Sequence, residues 1–316
     1  MKSTSELTDY YYTHLYDALE ALERDRLKVR NRVLLLLGGI AAVLAVAAIV
    51  PLLREYIVWL VFGAFILGGF GYNRLIRNYR SDFKEKIIRP LVAAIDPGLL
   101  YAPANAVPRT LFESSHLFDT RIDRYRGNDY VEGTLEGIPV RFSDIHAEHR
   151  SQDQKGNNQW NTVFRGLFIV ADFNKHLKGR TVVLPDLAEN LLGSYLGNLF
   201  QSKNFSRDSL VRMDDPEFEK AFVVYGTDQI EARYILTHSM MKRLLELKKR
   251  TGKDLYVSFN GEKIMIAIAY DKDLFEPTVF HSLLSVKQAT EYINTLRSAI
   301  GIVGELKLNE KLWSKT

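Results

Sequence analysis

Two apolar runs, Val33–Leu53 and Tyr56–Tyr72, constrain this chain more than any other feature. The first holds no charged or strongly polar side chain, and only Arg54 and Glu55 separate it from the second. At about 1.5 Å per residue the first run extends roughly 31 Å as a helix, close to the thickness of a hydrocarbon core. Two such runs in succession predict a helical hairpin that crosses a membrane twice. A buried hairpin in a soluble core is one competing reading, and so long an unbroken run argues against it. A cleaved signal peptide is another. It fits poorly, because the apolar part exceeds an ordinary signal core, the N-terminal flank is long and contains acids, and a second run follows almost at once.

The flanks predict orientation. Arg24, Arg26, Lys28, Arg30 and Arg32 precede the hairpin, and Arg74, Arg77, Arg80, Lys84 and Lys86 follow it, whereas the tip at Pro51–Tyr56 has only Arg54. Basic residues beside span ends stay on the cytoplasmic side, so both termini are expected in the cytoplasm of a multi-pass inner-membrane protein. The same cations are expected to meet anionic headgroups, and Tyr56, Trp59 and Tyr72 to sit at the interfaces. Small residues recur four apart at Gly38 and Ala42, Ala41 and Ala45, and Ala64 and Gly68, which allows close helix approach within one chain or between copies. No ionisable side chain lies inside either run, which argues for an anchor over a transporter.

The 316 residues leave room after the hairpin for one fair-sized domain or two small ones. Mean hydropathy of −0.12 averages a greasy hairpin with an ordinary soluble part. A formal charge of +4 is too small to argue for a nucleic-acid partner. The absence of cysteine excludes disulfides, thiolate zinc, iron–sulfur clusters and a cysteine nucleophile.

Four parts follow: 1–32, an amphipathic juxtamembrane helix; 33–73, the hairpin; 74–100, a second juxtamembrane helix; and 101–316, a cytoplasmic α+β domain. Leu7, Tyr11, Leu15, Ala18 and Leu22 give Ser5–Arg32 a helical stripe that places His14 on the apolar side. Pro90 is expected to kink or interrupt the second helix, and Tyr101–Pro108 reads as a connector. Arg109–Phe118 reads as a short helix. Asp129–Glu136 and Ile138–Glu148 alternate around Gly137 and predict a hairpin. Ser151–Asn161 reads as a polar loop. Thr162–Phe173, Arg180–Leu184, Ser209–Met213 and Ala221–Tyr225 read as strands, and Leu187–Phe200 as a helix. A long helix is expected from Thr227 or Asp228 to Arg250, stopped by Gly252, with a capping box if Glu231 serves Asp228. Asn260-Gly261 predicts a tight hairpin, and Ser285–Leu308 a final helix. Hairpins outnumber regular strand–helix alternation, so the class is α+β with a mainly antiparallel sheet.

Chemistry is thinly signalled. Asp144, His146, Glu148 and His149 form the one cluster of ligand-type side chains; on a strand the first three share a face and His149 points away. A solvent-facing polar strand gives the same letters and is the favoured reading. Thr251-Gly252-Lys253-Asp254 lacks the rest of a phosphate-binding loop. There is no Gly-x-Ser-x-Gly elbow and no His-Glu-x-x-His. Asn204-Phe205-Ser206 matches a glycosylation acceptor that a cytoplasmic domain would not use. The trio Lys248, Lys249 and Arg250 reads as a complement to a helix C-terminus, and Arg233 and Asp172 as structural charges. No catalytic, metal or cofactor residue is assigned, and no cofactor is expected.

Three segments carry a resemblance: Gly133–Asp144, Phe164–Asp186 and Phe222–Leu236. Together they resemble the bacterial domain-of-unknown-function family 3137. The resemblance implies bacterial origin, two N-terminal spans and a following cytoplasmic domain, and it brings no activity and no catalytic residues. The function expected is a membrane-anchored interaction or scaffold module facing the cytoplasm. Its partners would be the lipid bilayer and another protein or further copies of itself. The alternative is a membrane-bound, hydrolase-like enzyme with a site around Asp144–His149.

Overall fold

Ser3 opens the first helix as a capping box: its hydroxyl accepts the Glu6 N–H at 3.2 Å, and the Glu6 carboxylate accepts the Ser3 N–H at 2.7 Å. The computed structural model describes residues 2–50, 55–152, 156–173, 175–186 and 209–306. The expected helix Leu187–Phe200, the Asn204–Ser206 motif and the hairpin tip from Pro51 to Arg54 lie outside them. The chain divides into two units, Met1–Ile95 with Phe275–Asn294, and Asp96–Leu274 with Thr295–Thr316.

In the first unit, α1 (Thr4–Thr13) and α2 (Tyr16–Ile49) replace the single helix expected from Ser5 to Arg32. The Thr13 hydroxyl turns back to the Asp9 carbonyl at 2.7 Å, the His14 N–H closes on Tyr10, and the next helix starts afresh from Leu15. His14 is therefore exposed, not on the apolar side, and stacks on Tyr10 at 4.7 Å. Beyond that break α2 runs straight into the first apolar run. The second run lies in α3 (Ile57–Phe83). A Cβ at Gly68 would stand 3.0 Å from Ile40, and one at Gly71 3.2 Å from Leu36, so these glycines let α2 and α3 approach. Gly38, Gly39, Gly63 and Gly69 face open space.

A π turn at Lys84–Ile88 joins α3 to α4 (Arg89–Ile95), the Arg89 N–H reaching five residues back to Lys84. Pro90 has no N–H to give and crowds the preceding turn. The α-helix is accordingly interrupted by the widened turn just before Pro90 and resumes at Arg89.

The second unit is built on one nine-stranded sheet, every neighbouring pair antiparallel, in the order β1-β2-β3-β4-β9-β8-β5-β7-β6. The strands are β1 (Leu99–Ala102), β2 (Arg124–Leu135), β3 (Ile138–Gln152), β4 (Asn158–Asp172), β5 (Arg180–Pro185), β6 (Ser209–Val211), β7 (Phe222–Gly226), β8 (Leu255–Asn260) and β9 (Lys263–Ala269). With its helices this is the α+β class that the preponderance of hairpins over strand–helix alternation predicts.

Several boundaries differ from expectation. β1 takes the start of the supposed connector at Tyr101. Ser151–Asn161 is mostly strand: Ser151 pairs with Gln159 and Arg150 with Trp160, so β3 and β4 extend well past their apolar parts. The short helix α5 keeps only Arg109–Ser114, since His116 turns to φ 51°. The β8–β9 loop is Gly261-Glu262, one residue beyond the expected turn, because Asn260 still pairs with Lys263 and only Gly261 takes positive φ.

The central strands are buried on both faces. Phe112 of α5 anchors one face, lying 4.9 Å from the Phe168 ring and 5.5 Å from Phe118, with Ile145, Val182, Tyr256 and Met265 in the same core.

After the short helix α6 (Pro216–Ala221), the long helix expected after Asp228 is two: α7 (Gln229–Ile235) and α8 (His238–Thr251). Asp228 caps α7 through the N–H groups of Ile230 and Glu231. Glu231 does not complete a capping box; its carboxylate takes the N–H groups of Lys178 and Gly179 at 2.9 and 2.7 Å. Thr237 caps α8 through Met240, and Gly252 ends it at φ 60°. Thr237→Ala is expected to cost about 1 kcal/mol in denaturant unfolding, whereas Thr237→Ser should leave stability nearly unchanged. Equal losses in both would deny the cap its role. The last helix, α9, spans Val286–Glu305.

Candidate functional site

Cross-strand register gathers the polar residues of β2, β3 and β4. Arg126 lies opposite His146, and His146 opposite Arg165, so the three form one row across three strands. The adjacent row runs Gly127, Ile145, Gly166, and the next begins Asn128, Asp144. Lys272 and Asp273, just after β9, complete a cavity of about 220 Å³ over these rows. Neither glycine can carry a side chain. A Cβ at Gly127 would lie 2.5 Å from the Asp144 carbonyl, and one at Gly166 2.1 Å from that of Ile268. The β2 register shifts immediately after Asn128, a bulge of the kind that re-aims side chains beside sites.

Of the cluster singled out in the sequence, only Asp144 and His146 line this cavity. Asp144 is buried and its Oδ2 accepts the Leu274 N–H at 2.7 Å. His146 shares a hydrogen bond with the Thr162 hydroxyl at 3.2 Å. Glu148 is also buried, against Arg124 at 3.3 Å, whose guanidinium stacks 3.7 Å over Trp160. His149 faces Asp123 at 2.8 Å. The strand is thus not a solvent-facing one: it is interior to the sheet, and its four ligand-type groups go to four separate partners. Among the described residues no three His, Asp or Glu side chains converge where they could share a metal ion.

Burial, the largest influence, holds the His146 imidazole below its ordinary pKa; Glu148 pulls it up, and Arg165 and Arg126 push it further down. A histidine that resists protonation when folded is protonated first when unfolded. Stability should therefore fall as the pH drops below about 6.5, until the folded group also titrates. His146→Gln, which can keep the Thr162 bond, is expected to flatten that loss in unfolding curves taken across the range. An unchanged slope would assign the acid sensitivity elsewhere.

The remaining candidates have structural duties. A wider depression of about 610 Å³ lies at the C-terminal end of α8. There Lys248 donates to the Ala221 carbonyl at 2.7 Å, and Lys249 pairs with Glu217 at 2.6 Å. Arg233 reaches the Arg212 carbonyl at 3.4 Å, and Asp172 pairs with Lys263 at 3.3 Å.

The first unit holds a second polar constellation that the sequence did not suggest. Residues 275–284 have no regular structure, and side chains from the N-terminal helices satisfy their backbone. Tyr11 donates to the Leu283 carbonyl at 3.0 Å, Tyr79 to that of Thr278 at 3.3 Å and Arg26 to that of Val279 at 2.7 Å. Glu23 accepts the Leu283 N–H at 3.1 Å and also binds Arg26 at 2.7 Å. Glu276 pairs with Arg80 at 2.8 Å and Lys84 at 2.9 Å. Arg26 and Lys84 are buried, so these members of the basic collars are engaged within the protein and do not meet headgroups.

Residues 162–308 match the profile described as Protein of unknown function (DUF3137). Two of the three segments behind the resemblance fall inside the DUF3137 match, and Gly133–Asp144 lies ahead of it. Arg165, Lys272 and Asp273 of the cavity are within the matched residues; Arg126, Asp144 and His146 are not. No curated protein matches the chain. The crystal structure of the mycobacterial trehalose monomycolate transport factor A, TtfA, is similar over 69% of this chain and 94% of its own. The identity is 13% and the TM-score 0.35, a likeness too slight to speak for shared fold or role.

The arginines of the His146 row escaped the sequence reading. They stand twenty and nineteen positions from that histidine in sequence, and only the strand pairing makes them neighbours.

Proposed function

We propose that this protein is a membrane-anchored module of the bacterial inner membrane. In this reading α2 and α3 cross the bilayer, both termini lie in the cytoplasm, and the α+β part docks a protein partner or a second copy there. One observation carries it: the apolar side chains of the two helices are turned outward. Phe65 is 82% exposed, Leu35 75% and Trp59 72%. The most apolar stretch of α2 is 11% buried and that of the helix beginning at Ile57 is 0% buried, unlike core helices of a water-soluble protein. A surface of that kind is compatible with lipid and not with water.

The test is fractionation of cells expressing the full chain. The protein should stay in the membrane pellet through alkaline carbonate and enter solution only with detergent. A tag on Thr316 should resist protease in intact cells and be cut after lysis. Release by carbonate would remove the anchor, and cleavage in intact cells would reverse the orientation. For docking, crosslinking in intact cells followed by size analysis should recover an adduct; monomer alone at every crosslinker length would argue against it.

A further inference from the structure

The cavity over β2, β3 and β4 has a lining of mixed character, and its charges do not cancel. Arg126, Arg165 and Lys272 stand against Asp144 and Asp273. Of the two carboxylates, Asp144 is also drawn on by the Leu274 N–H. Arg126 is exposed and makes no hydrogen bond or ion pair among the described residues. Arg165 reaches Asp273 through Nη2 at 3.0 Å, while its Nε–H is buried with no partner among them. That Nε–H is closed to solvent, so an oxyanion would meet the half-exposed Arg165 through its outer guanidinium nitrogens. The Asn128 side chain, which can both donate and accept, likewise makes no hydrogen bond among the described residues.

Guanidinium groups on two sides, an ammonium at the rim and a neutral amide at one end select a ligand that is anionic at one end and hydroxylated at the other. We propose that this pocket binds a phosphorylated polyol, its phosphoryl oxygens held by Arg126, Arg165 and Lys272 and a hydroxyl by Asn128. The chemistry is the same whether the group is a free sugar or glycerol phosphate or the headgroup of a glycerophospholipid. The three cations serve as the phosphate-binding set, and Asp273 holds the Arg165 fork in place.

The proposal is tested by calorimetric titration of the full chain in neutral detergent with glycerol 3-phosphate, inorganic phosphate and glycerol. Glycerol 3-phosphate should bind saturably and more tightly than inorganic phosphate, and glycerol should give no signal. Arg126→Gln should weaken glycerol 3-phosphate about tenfold. Because the Arg126 side chain is exposed and makes no hydrogen bond among the described residues, that variant should fold normally. Asn128→Ala should weaken glycerol 3-phosphate but leave inorganic phosphate unchanged, and Lys249→Gln, outside the cavity, should alter neither. No saturable binding of either phosphate, or binding that Arg126→Gln leaves unchanged, would overturn the proposal. Equal affinity for the two phosphates, untouched by Asn128→Ala, would overturn its polyol half. Nanodiscs then name the source: competition by phosphatidylglycerol but not phosphatidylcholine assigns the site to a headgroup, and none from either assigns it to a soluble ligand.

Discussion

Gly166→Ala is expected to destabilise the sheet by about 3–5 kcal/mol, enough to leave the α+β part largely unfolded. Gly166 sits at φ 146° in β4, between β3 and β9, and an added Cβ would lie 2.1 Å from the Ile268 carbonyl oxygen and 2.8 Å from the Tyr270 nitrogen. Both obstacles are backbone, so neither can rotate away. The strand must separate from β9, and the ladder from Gly166–Ala269 to Asp172–Lys263 opens with it. Gly137→Ala is the control. It has φ 84° but nothing within 4 Å of the added Cβ, so it should lose only about 1–2 kcal/mol to backbone strain. Thermal unfolding of the full chain in detergent, followed by near-ultraviolet dichroism, separates the two. Similar small losses at both positions would mean that the strands are not so close.

Arg26→Met should loosen residues 275–284 from the N-terminal helices, at a local cost of about 3 kcal/mol. Arg26 is 4% exposed and binds both Glu23 and the Val279 carbonyl. Removing it leaves a largely buried carboxylate without its cation and a carbonyl without its donor. Hydrogen exchange at the Leu283 amide, which Glu23 accepts, should accelerate on the order of a hundredfold. Glu23→Gln combined with Arg26→Met should recover much of this, because a neutral amide oxygen still accepts that N–H and no charge is stranded. A double variant as labile as the single one would show that charge burial is not what holds the segment.

The sequence is most legible where one physical quantity decides the matter. Two apolar runs of bilayer length yield long outward-greasy helices, and alternation around Gly137 yields the β2–β3 hairpin with Glu136 and Gly137 both at positive φ. It misleads where two signals compete. Ile230 to Leu247 keeps an apolar period across Leu236 and Thr237, so the stripe hides a break that Thr237 marks by capping a new helix. Gln159, Trp160 and Asn161 look like loop because their stretch is polar, Gln/Asn-rich and without apolar periodicity, yet the ladder to β3 continues through them.

The candidate site was half legible. Asp144 and His146 are conspicuous, being ligand-type residues two apart on a strand. Arg126, Arg165, Lys272 and Asp273 were not, because register is set by turns and bulges that no single segment reveals. Residues 275–284 were illegible for another reason. Their backbone partners are Tyr11, Arg26 and Tyr79, and side chains that serve remote carbonyls leave no periodicity behind.

That irregular stretch bears on how the protein can be handled at the bench. A version trimmed to begin at Asp96, the natural cut for anyone wishing to avoid detergent, would keep Phe275, Leu283 and Ile293 but lose the helices that cover them. It would be sticky for reasons unrelated to its sheet. Retaining residues 2–32 and 74–95 through a short polar splice in place of the greasy hairpin is the more promising water-soluble version.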